Sequence, residues 1–260
     1  MIKQLSSDKN RILVFSDVHQ DAEKVKTILK KENYDFVVFL GDWFDSHHKQ
    51  SASDLAATCS LVRELSAMKN VFMLWGNHDL HYFYSNRYAM CSGYSDAKDT
   101  AIADMLHPRI VEIRDSIGWY IWIDDFLCSH AGIHPHFFPP HLKVTKEEIS
   151  NWLDDQAKYA KLSLENGGTH WFYRAGYSRW GNQKVGGIVW LDFNEEFEPI
   201  EGVKQIVGHT FNRGGVGVRG HHTNGNLDLT QAENLCIDCN INEYLIIQNG
   251  KLEIKSYKDL

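Results

Sequence analysis

Five short polar clusters recur along the chain, each directly after an apolar run: Asp17-Val18-His19, Gly41-Asp42-Trp43-Phe44-Asp45, Gly76-Asn77-His78-Asp79, Ser129-His130-Ala131-Gly132 and Gly208-His209-Thr210. Taken singly, each reads as a turn or a surface histidine, since Gly, Asn and Asp favour turns. Five in order are hard to attribute to turns, because the strand ends of one sheet converge on one rim. Asp, Asn and His offer oxygen and imidazole donors. Two divalent cations about 3.5–4 Å apart need a bridging carboxylate to offset their repulsion, with such donors on each side. Mixed nitrogen and oxygen ligation without thiolate suits Mn, Fe, Zn or Ni better than Ca. A water shared by the two cations becomes hydroxide near neutral pH, a nucleophile for a phosphorus centre whose oxygens the metals neutralise.

The elements that would position these clusters are legible in the hydrophobic pattern. Arg11 to Phe15, Phe36 to Leu40 and Val71 to Trp75 read as buried strands. Between them, Asp21 to Lys31 and Ser51 to Ala67 carry apolar residues at helical spacing, with Ser51 or Ser53 as a cap. Alternating strand and helix implies parallel pairing, with ligands at the carboxyl ends of the strands. From Arg109 the pattern changes to short strands expected at Ile110 to Arg114, Ile117 to Ile123 and Phe126 to Cys128, antiparallel to one another. Further strands are expected at Gln205 to Val207, Leu235 to Asp238, Tyr244 to Ile247 and Leu252 to Lys255, with Asn249-Gly250 as a hairpin turn. Thr145 and Glu148 form a capping-box pattern opening a helix through about Leu164.

The ordered set D-x-H, G-D-x-x-D, G-N-H-D, S-H-A-G and G-H-T resembles the calcineurin-like metallophosphoesterase family over Asp17 to His209. That resemblance implies an α/β four-layer fold, a central β-sandwich flanked by helices. It implies that Asp17, His19 and Asp42 hold a first metal, that Asp42 bridges, and that Asn77, His130 and His209 complete a second. It makes His78 the general acid or charge stabiliser at the leaving oxygen, oriented by Asp45. Two divalent ions are implied, manganese foremost, with Fe, Zn, Ni or Co compatible. The S-H-A-G-I, G-H-T and Ile237-Asp238 segments, with Val189-Trp190-Leu191-Asp192, are similar to the branch of Ser/Thr protein phosphatases and symmetrical dinucleoside-polyphosphate hydrolases. Where other branches read G-H-x-H this chain has Phe211, which leaves the first metal fewer protein ligands. Protein phosphatases carry two arginines where Ser46 and Trp75 stand here. The substrate-gripping task then falls to His47, His48, Arg174, Arg179 or Arg213, the guanidinium fork matching phosphate oxygens.

The whole chain, 260 residues with 43% hydrophobic and 12% aromatic residues, suits a single domain over 1–260 with a packed core. Residues 135–188 are read as a cap-like insertion within it, helical and then aromatic and basic around Trp171 to Trp180. No apolar run exceeds five residues, so no membrane-spanning helix is expected, and Met1 to Asn10 offers no signal segment. With 27 Lys plus Arg against 34 Asp plus Glu the net charge is −7, which disfavours nonspecific nucleic-acid binding. Five scattered cysteines fit a reducing compartment, the cytoplasm, rather than a disulfide framework. Cys236 and Cys239 read as structural and His134, His136 and His141 as rim residues; a first-metal ligand from His221 or His222 folding back is the lesser alternative. The run from His81 to Tyr84 with Arg87-Tyr88 could stack on a base or pack against the sheet. The leading expectation is a dimetal hydrolase of a phosphomonoester or nucleotide. The alternatives are a phosphodiesterase or nuclease, a protein phosphatase, or a metal-binding module without turnover.

Overall fold

The computed structural model describes residues 4–46, 48–211, 219–220, 229–230 and 232–260. Strands Gln4–Leu5 (β1), Arg11–Phe15 (β2), Phe36–Phe39 (β3), Val71–Met73 (β4), Tyr120–Ile123 (β5), Phe126–Ser129 (β6), Lys204–Val207 (β7), Arg219–Gly220 (β8), Asn234–Cys236 (β9), Glu243–Gln248 (β10) and Lys251–Ser256 (β11) form two sheets. One has the order β11-β10-β2-β3-β4 and the other β1-β5-β6-β7-β9-β8. Helices are Ala22–Lys31 (α1), Ala52–Leu65 (α2), Leu80–Tyr84 (α3), Asp96–Leu106 (α4), Ile110–Ser116 (α5) and Lys146–Glu165 (α6).

The strands read as unbroken apolar runs because both of their faces are covered. Ile12 and Val14 of β2 point inward with Val38, Leu40 and Phe72, packing with Ile121, Ile123, Cys128, Ile206 and Leu235 of the second sheet. Leu13, Phe15, Val37 and Phe39 point outward and join Val25 and Ile28 of α1 and Leu55, Val62 and Leu65 of α2 in the larger core. Helix α6 covers the other sheet: Tyr120 donates to the Ser150 carbonyl (3.0 Å) and Asp154 Oδ1 (2.6 Å), and Trp122 to Ser150 Oγ (3.0 Å). Helix, sheet, sheet and helix make the four layers, as the family resemblance implies.

The parallel pairs β2/β3 and β3/β4 bring the first three polar clusters to one end of a sheet. In the second sheet β6/β7 is parallel too, so the segments after Ser129 and Val207 emerge side by side. Strands β5 and β6 are antiparallel, as expected. The β10/β11 hairpin turns on Asn249 and Gly250 at φ 50° and 70°, the left-handed pair a type I′ turn requires. Ser51 caps α2 in a reciprocal capping box with Asp54, and Thr145 Oγ1 accepts from the Glu148 amide at the start of α6.

One expectation is corrected. Ile110 to Arg114 is not a strand but lies in α5. Ile110, Ile113 and Ile117 recur at a three-to-four-residue interval, Ile113 is fully buried and Val111 is exposed. The helical period overrides the β-branched composition. The following strand starts only at Tyr120, and the one after Glu233 ends at Cys236, leaving Ile237 and Asp238 in irregular backbone.

Away from the strand ends, Glu32 ties the end of α1 to the sheet edge. It accepts from Arg11 (2.9 Å), Tyr244 (2.7 Å) and Lys255 (2.8 Å) and is 7% exposed. Burial alone would raise this carboxyl, but the hydrogen bonds from Lys255, Arg11 and Tyr244 outweigh it and hold it at about 2, against an ordinary 4.5. A folded value below the unfolded one gives stability that is complete above about 4.5 and lost as the pH falls toward 2. Glu32→Gln is therefore expected to cost about 2–3 kcal/mol at pH 7 and progressively less below pH 4.5, measured by urea unfolding at several pH values.

Candidate metal centre and active site

Three of the five polar clusters turn away from their strands through left-handed non-glycine residues. Asp17, His19, Asp42, Asp45 and His209 have φ of 55°, 42°, 58°, 63° and 67°. Non-glycine residues visit this region at a cost and cluster at functional sites. The glycines of the motifs let these loops close on one another. A methyl on Gly76 would overlap Asp42 Oδ1, and one on Gly208 would overlap Ser16 Oγ and Asp17 Oδ2. Glycine in G-N-H-D and in G-H-T is thus a matter of room beside a carboxylate from a neighbouring strand.

Two triads result. Asp17, His19 and Asp42 form one and Asp42, His130 and His209 the other, the potential ligand atoms in each lying within 4.8 Å of one another. Asp42 belongs to both. His19 Nε2 is 3.8 Å from Asp17 Oδ1 and 3.7 Å from Asp42 Oδ2; His130 Nε2 is 3.4 Å from Asp42 Oδ2 and 3.0 Å from Asn77 Oδ1. His19 Nδ1 faces the Phe44 carbonyl at 3.1 Å, and His130 Nδ1 the Leu40 carbonyl at 2.9 Å. A carbonyl only accepts, so Nδ1 carries a proton and Nε2 is the nitrogen turned toward the carboxylates, the orientation of metal-ligating histidines. The His209 amide donates to Asp17 Oδ2 (3.0 Å), joining the two triads.

The electrostatics are those of buried carboxylates and imidazoles crowded together. Burial lowers His130, yet the charges of Asp42 and Asp17 outweigh it and push the imidazole up to about 9. Burial drives Asp238 well above the ordinary carboxylate range, and the neighbouring Asp17 charge adds to this. Burial and the nearby His130 keep His209 neutral, which is the ligating form. Buried His209 Nε2 and Asp238 Oδ1 have no hydrogen-bond partner among the described residues. Unpaired buried polar atoms are costly, so their convergence on clustered carboxylates fits divalent metal ions.

His78 stands outside both triads. Its ring is edge-on to that of His19 at 5.3 Å, its amide donates to Asp42 Oδ1 (2.9 Å), and its Nδ1 donates to Asp45 Oδ2 (3.1 Å). Asp45 is a hub, its other oxygen receiving Tyr82 (2.6 Å) and Lys98 (2.5 Å). These bonds outweigh burial and keep Asp45 below the usual carboxylate range. Asp79, placed in a motif without a role, gathers the amides of Trp43 (2.8 Å), Asp42 (2.9 Å) and Gly76 (3.0 Å), locking two ligand loops together. Lys98 and Cys91 were not expected at the site; Tyr82 lies in the run read as stacking on a base or packing, and Asp238 in a segment tied to the branch resemblance.

The expected substrate residues separate. His47 and Arg213 lie outside the described residues, as do His221 and His222. His48 is exposed, its amide bonded to Ser46 Oγ (3.1 Å). Arg179 pairs with Asp192 (2.7 Å) and reaches Thr210 Oγ1 (3.3 Å), beside His209. Arg174 lies over the Tyr88 ring (5.7 Å) and donates to Asn182. Both arginines line a cavity of about 480 Å³ that also has Arg87, Tyr88, Met90, Trp180 and Trp190 in its wall. It adjoins the triads, because the Trp190 ring lies 5.4 Å from that of His209 and Met90 precedes Cys91, which touches His78. Arg87 and Tyr88, read from the sequence as able to stack on a base or to pack against the sheet, both line this cavity. In the aromatic stretch, Phe172 and Tyr173 are buried while Tyr177 and Trp180 are exposed. His134 is buried, 3.7 Å from Glu198. Cys236 and Cys239 are buried and in no disulfide, and Cys236 Sγ lies 3.4 Å from the Gly208 and Thr210 carbonyls.

The sequence model of the calcineurin-like phosphoesterase family matches residues 10–213. A protein named as a phosphoesterase, 078R of Invertebrate iridescent virus 3, is 36% identical over 62 residues, 24% of this chain, and the match spans only 18% of that protein's length. The fold is similar to that of a cold-active protein-tyrosine phosphatase from a psychrophilic Shewanella, with a TM-score of 0.60 and 20% identity over 100% of this chain and 81% of that one. It is similar also to a protein serine/threonine phosphatase from Saccharomyces cerevisiae, with a TM-score of 0.55 and 14% identity over 98% and 82% of the two chains.

Proposed function

Because this chain belongs to the calcineurin-like phosphoesterase family and is a phosphoesterase by that membership, we propose that it is a hydrolase with a binuclear centre acting on phosphomonoesters of the nucleotide type. The observation that carries this reading is the sharing of Asp42 between two triads of oxygen and imidazole donors, with His78 just outside them. Asp17, His19 and Asp42 would hold one ion, and Asp42, Asn77, His130 and His209 the other, manganese being the first candidate. Bound divalent ions supply an activated water and neutralise phosphate charge.

The chain's own groups do the rest. Asp45 accepts from His78 Nδ1 and orients the ring, so that in its doubly protonated form the Nε2–H is the proton given to the leaving oxygen. Tyr82 and Lys98 hold Asp45 in turn. The cavity beside the centre receives the remainder of the substrate. Arg87 and Arg174 are engaged there by the Tyr88 ring and by neutral groups, which leaves their charges for phosphate oxygens, and Trp180 is 96% exposed for stacking on a base. We assign residues 1–260 to one domain, in which 135–188 supplies both an outer helix and part of the cavity wall. Five cysteines, none of them in a disulfide, support a reducing, cytoplasmic location.

Turnover of p-nitrophenyl phosphate, bis-p-nitrophenyl phosphate and nucleoside mono-, di- and triphosphates under Mn, Ni, Co and Zn tests the reading. Absence of turnover on all of them would sink it, and faster diester than monoester cleavage would favour the phosphodiesterase alternative. Arg174→Ala is expected to raise KM for a nucleoside diphosphate by about 10–100-fold with little change in kcat, the scale of one charge-assisted hydrogen bond. Steady-state kinetics against p-nitrophenyl phosphate, which lacks the distal phosphate, provides the control.

A further inference from the structure

Three side chains of different ligand chemistry meet beside the binuclear centre. His78 Nδ1 lies 3.1 Å from Asp45 Oδ2 and 3.2 Å from Cys91 Sγ, and all three donor atoms fall within 4.8 Å of one another. Imidazole, thiolate and carboxylate are the donors zinc takes in tetrahedral sites, and bonds of about 2.0–2.3 Å put neighbouring donors little more than 3 Å apart. Asp45 Oδ1 is already occupied by Tyr82 and Lys98, so Oδ2 is the oxygen left for a cation. The His78 side chain is 14% exposed and Cys91 is half-buried, so the trio can be reached from solvent.

We propose that Asp45, His78 and Cys91 form an inhibitory site for a thiophilic divalent cation, zinc by chemistry, distinct from the two ions bridged by Asp42. This rests on the reading of His78 as the proton donor. When zinc binds, the Cys91 thiol releases its proton to solvent and the imidazole proton moves from Nδ1 to Nε2. With Nδ1 coordinated, the ring cannot take up a second proton, and the acid form that serves the leaving group is lost. Manganese prefers oxygen donors and does not compete for the thiolate. The Lys98 ammonium, 2.5 Å from Asp45 Oδ1, opposes another positive charge, so the site fills as zinc rises and is not permanently loaded.

The test titrates zinc chloride into the manganese-loaded protein and its Cys91→Ser variant, each referred to its own zinc-free rate. The half-inhibiting zinc concentration is expected to rise in the variant by at least the roughly 10–100-fold that losing an outer-shell partner costs a metal site. In parallel, cobalt(II) added to the manganese-loaded protein is expected to give a thiolate-to-cobalt charge-transfer absorption that Cys91→Ser abolishes. Equal zinc sensitivity of the two proteins, or a thiolate band that survives in Cys91→Ser, overturns the site. A Cys91-dependent band in a protein with no turnover would uphold the metal site and overturn the phosphoesterase reading instead.

Discussion

Asp42→Asn is expected to reduce phosphoester hydrolysis to the level of the wild-type protein stripped by a chelator, and to cut the bound metal by at least one ion per chain. No other described residue belongs to both donor triads. Its carboxylate is fully buried, and burial would raise it, but the charges of His130 and His78 hold it well below the ordinary range. An amide is nearly the same size and can retain the hydrogen bond from the His78 amide, so the loops need not move. What disappears is the negative charge that offsets repulsion between two cations, and with it the reason for both to bind. Metal analysis by mass spectrometry beside kinetic assay checks this. Full activity with two metals retained in Asp42→Asn would remove the basis for a shared carboxylate.

His78→Asn is expected to leave the metal content intact and to lower kcat by about 10²–10⁴-fold on substrates with poor leaving groups, the usual contribution of a general acid. His78 belongs to neither Asp42 triad, and its ring is held by Asp45. The loss should shrink on p-nitrophenyl phosphate, whose leaving oxygen needs little protonation. That dependence on the leaving group separates a proton donor from a residue that merely fills space. A uniform loss across leaving groups would reassign His78 to charge stabilisation on the phosphate. Asp45→Asn should reproduce the same pattern in weaker form, because the amide lacks the negative charge that faces the His78 ring.

Much of the candidate site is legible in the sequence. The five clusters name the donor types, and their order after five apolar runs implies a common rim. The amide of Asp17 donates to the Gly41 carbonyl and that of Gly208 to the His130 carbonyl, showing how closely those turns meet. The Ser51 and Thr145 caps and the Asn249-Gly250 hairpin were equally legible, because each is decided within four residues of chain. Helix α5 was misread because its composition is β-branched, and only packing selected the face bearing Ile113.

The residues that complete the site were hidden for a different reason. Lys98 reaches Asp45 across 53 positions and Tyr82 across 37, while Arg87 joins Arg174 and Arg179 around one cavity from far along the chain. Ser46 and Trp75 stand where arginines were looked for, and the cavity takes its guanidinium groups from elsewhere. Turns, caps and hydrophobic periods are short-range properties written in neighbouring residues, so the sequence determined the donor types, their order and the strand ends that carry them. Which distant side chains close around those donors depends on how the sheets and helices pack, and tertiary structure alone decided that.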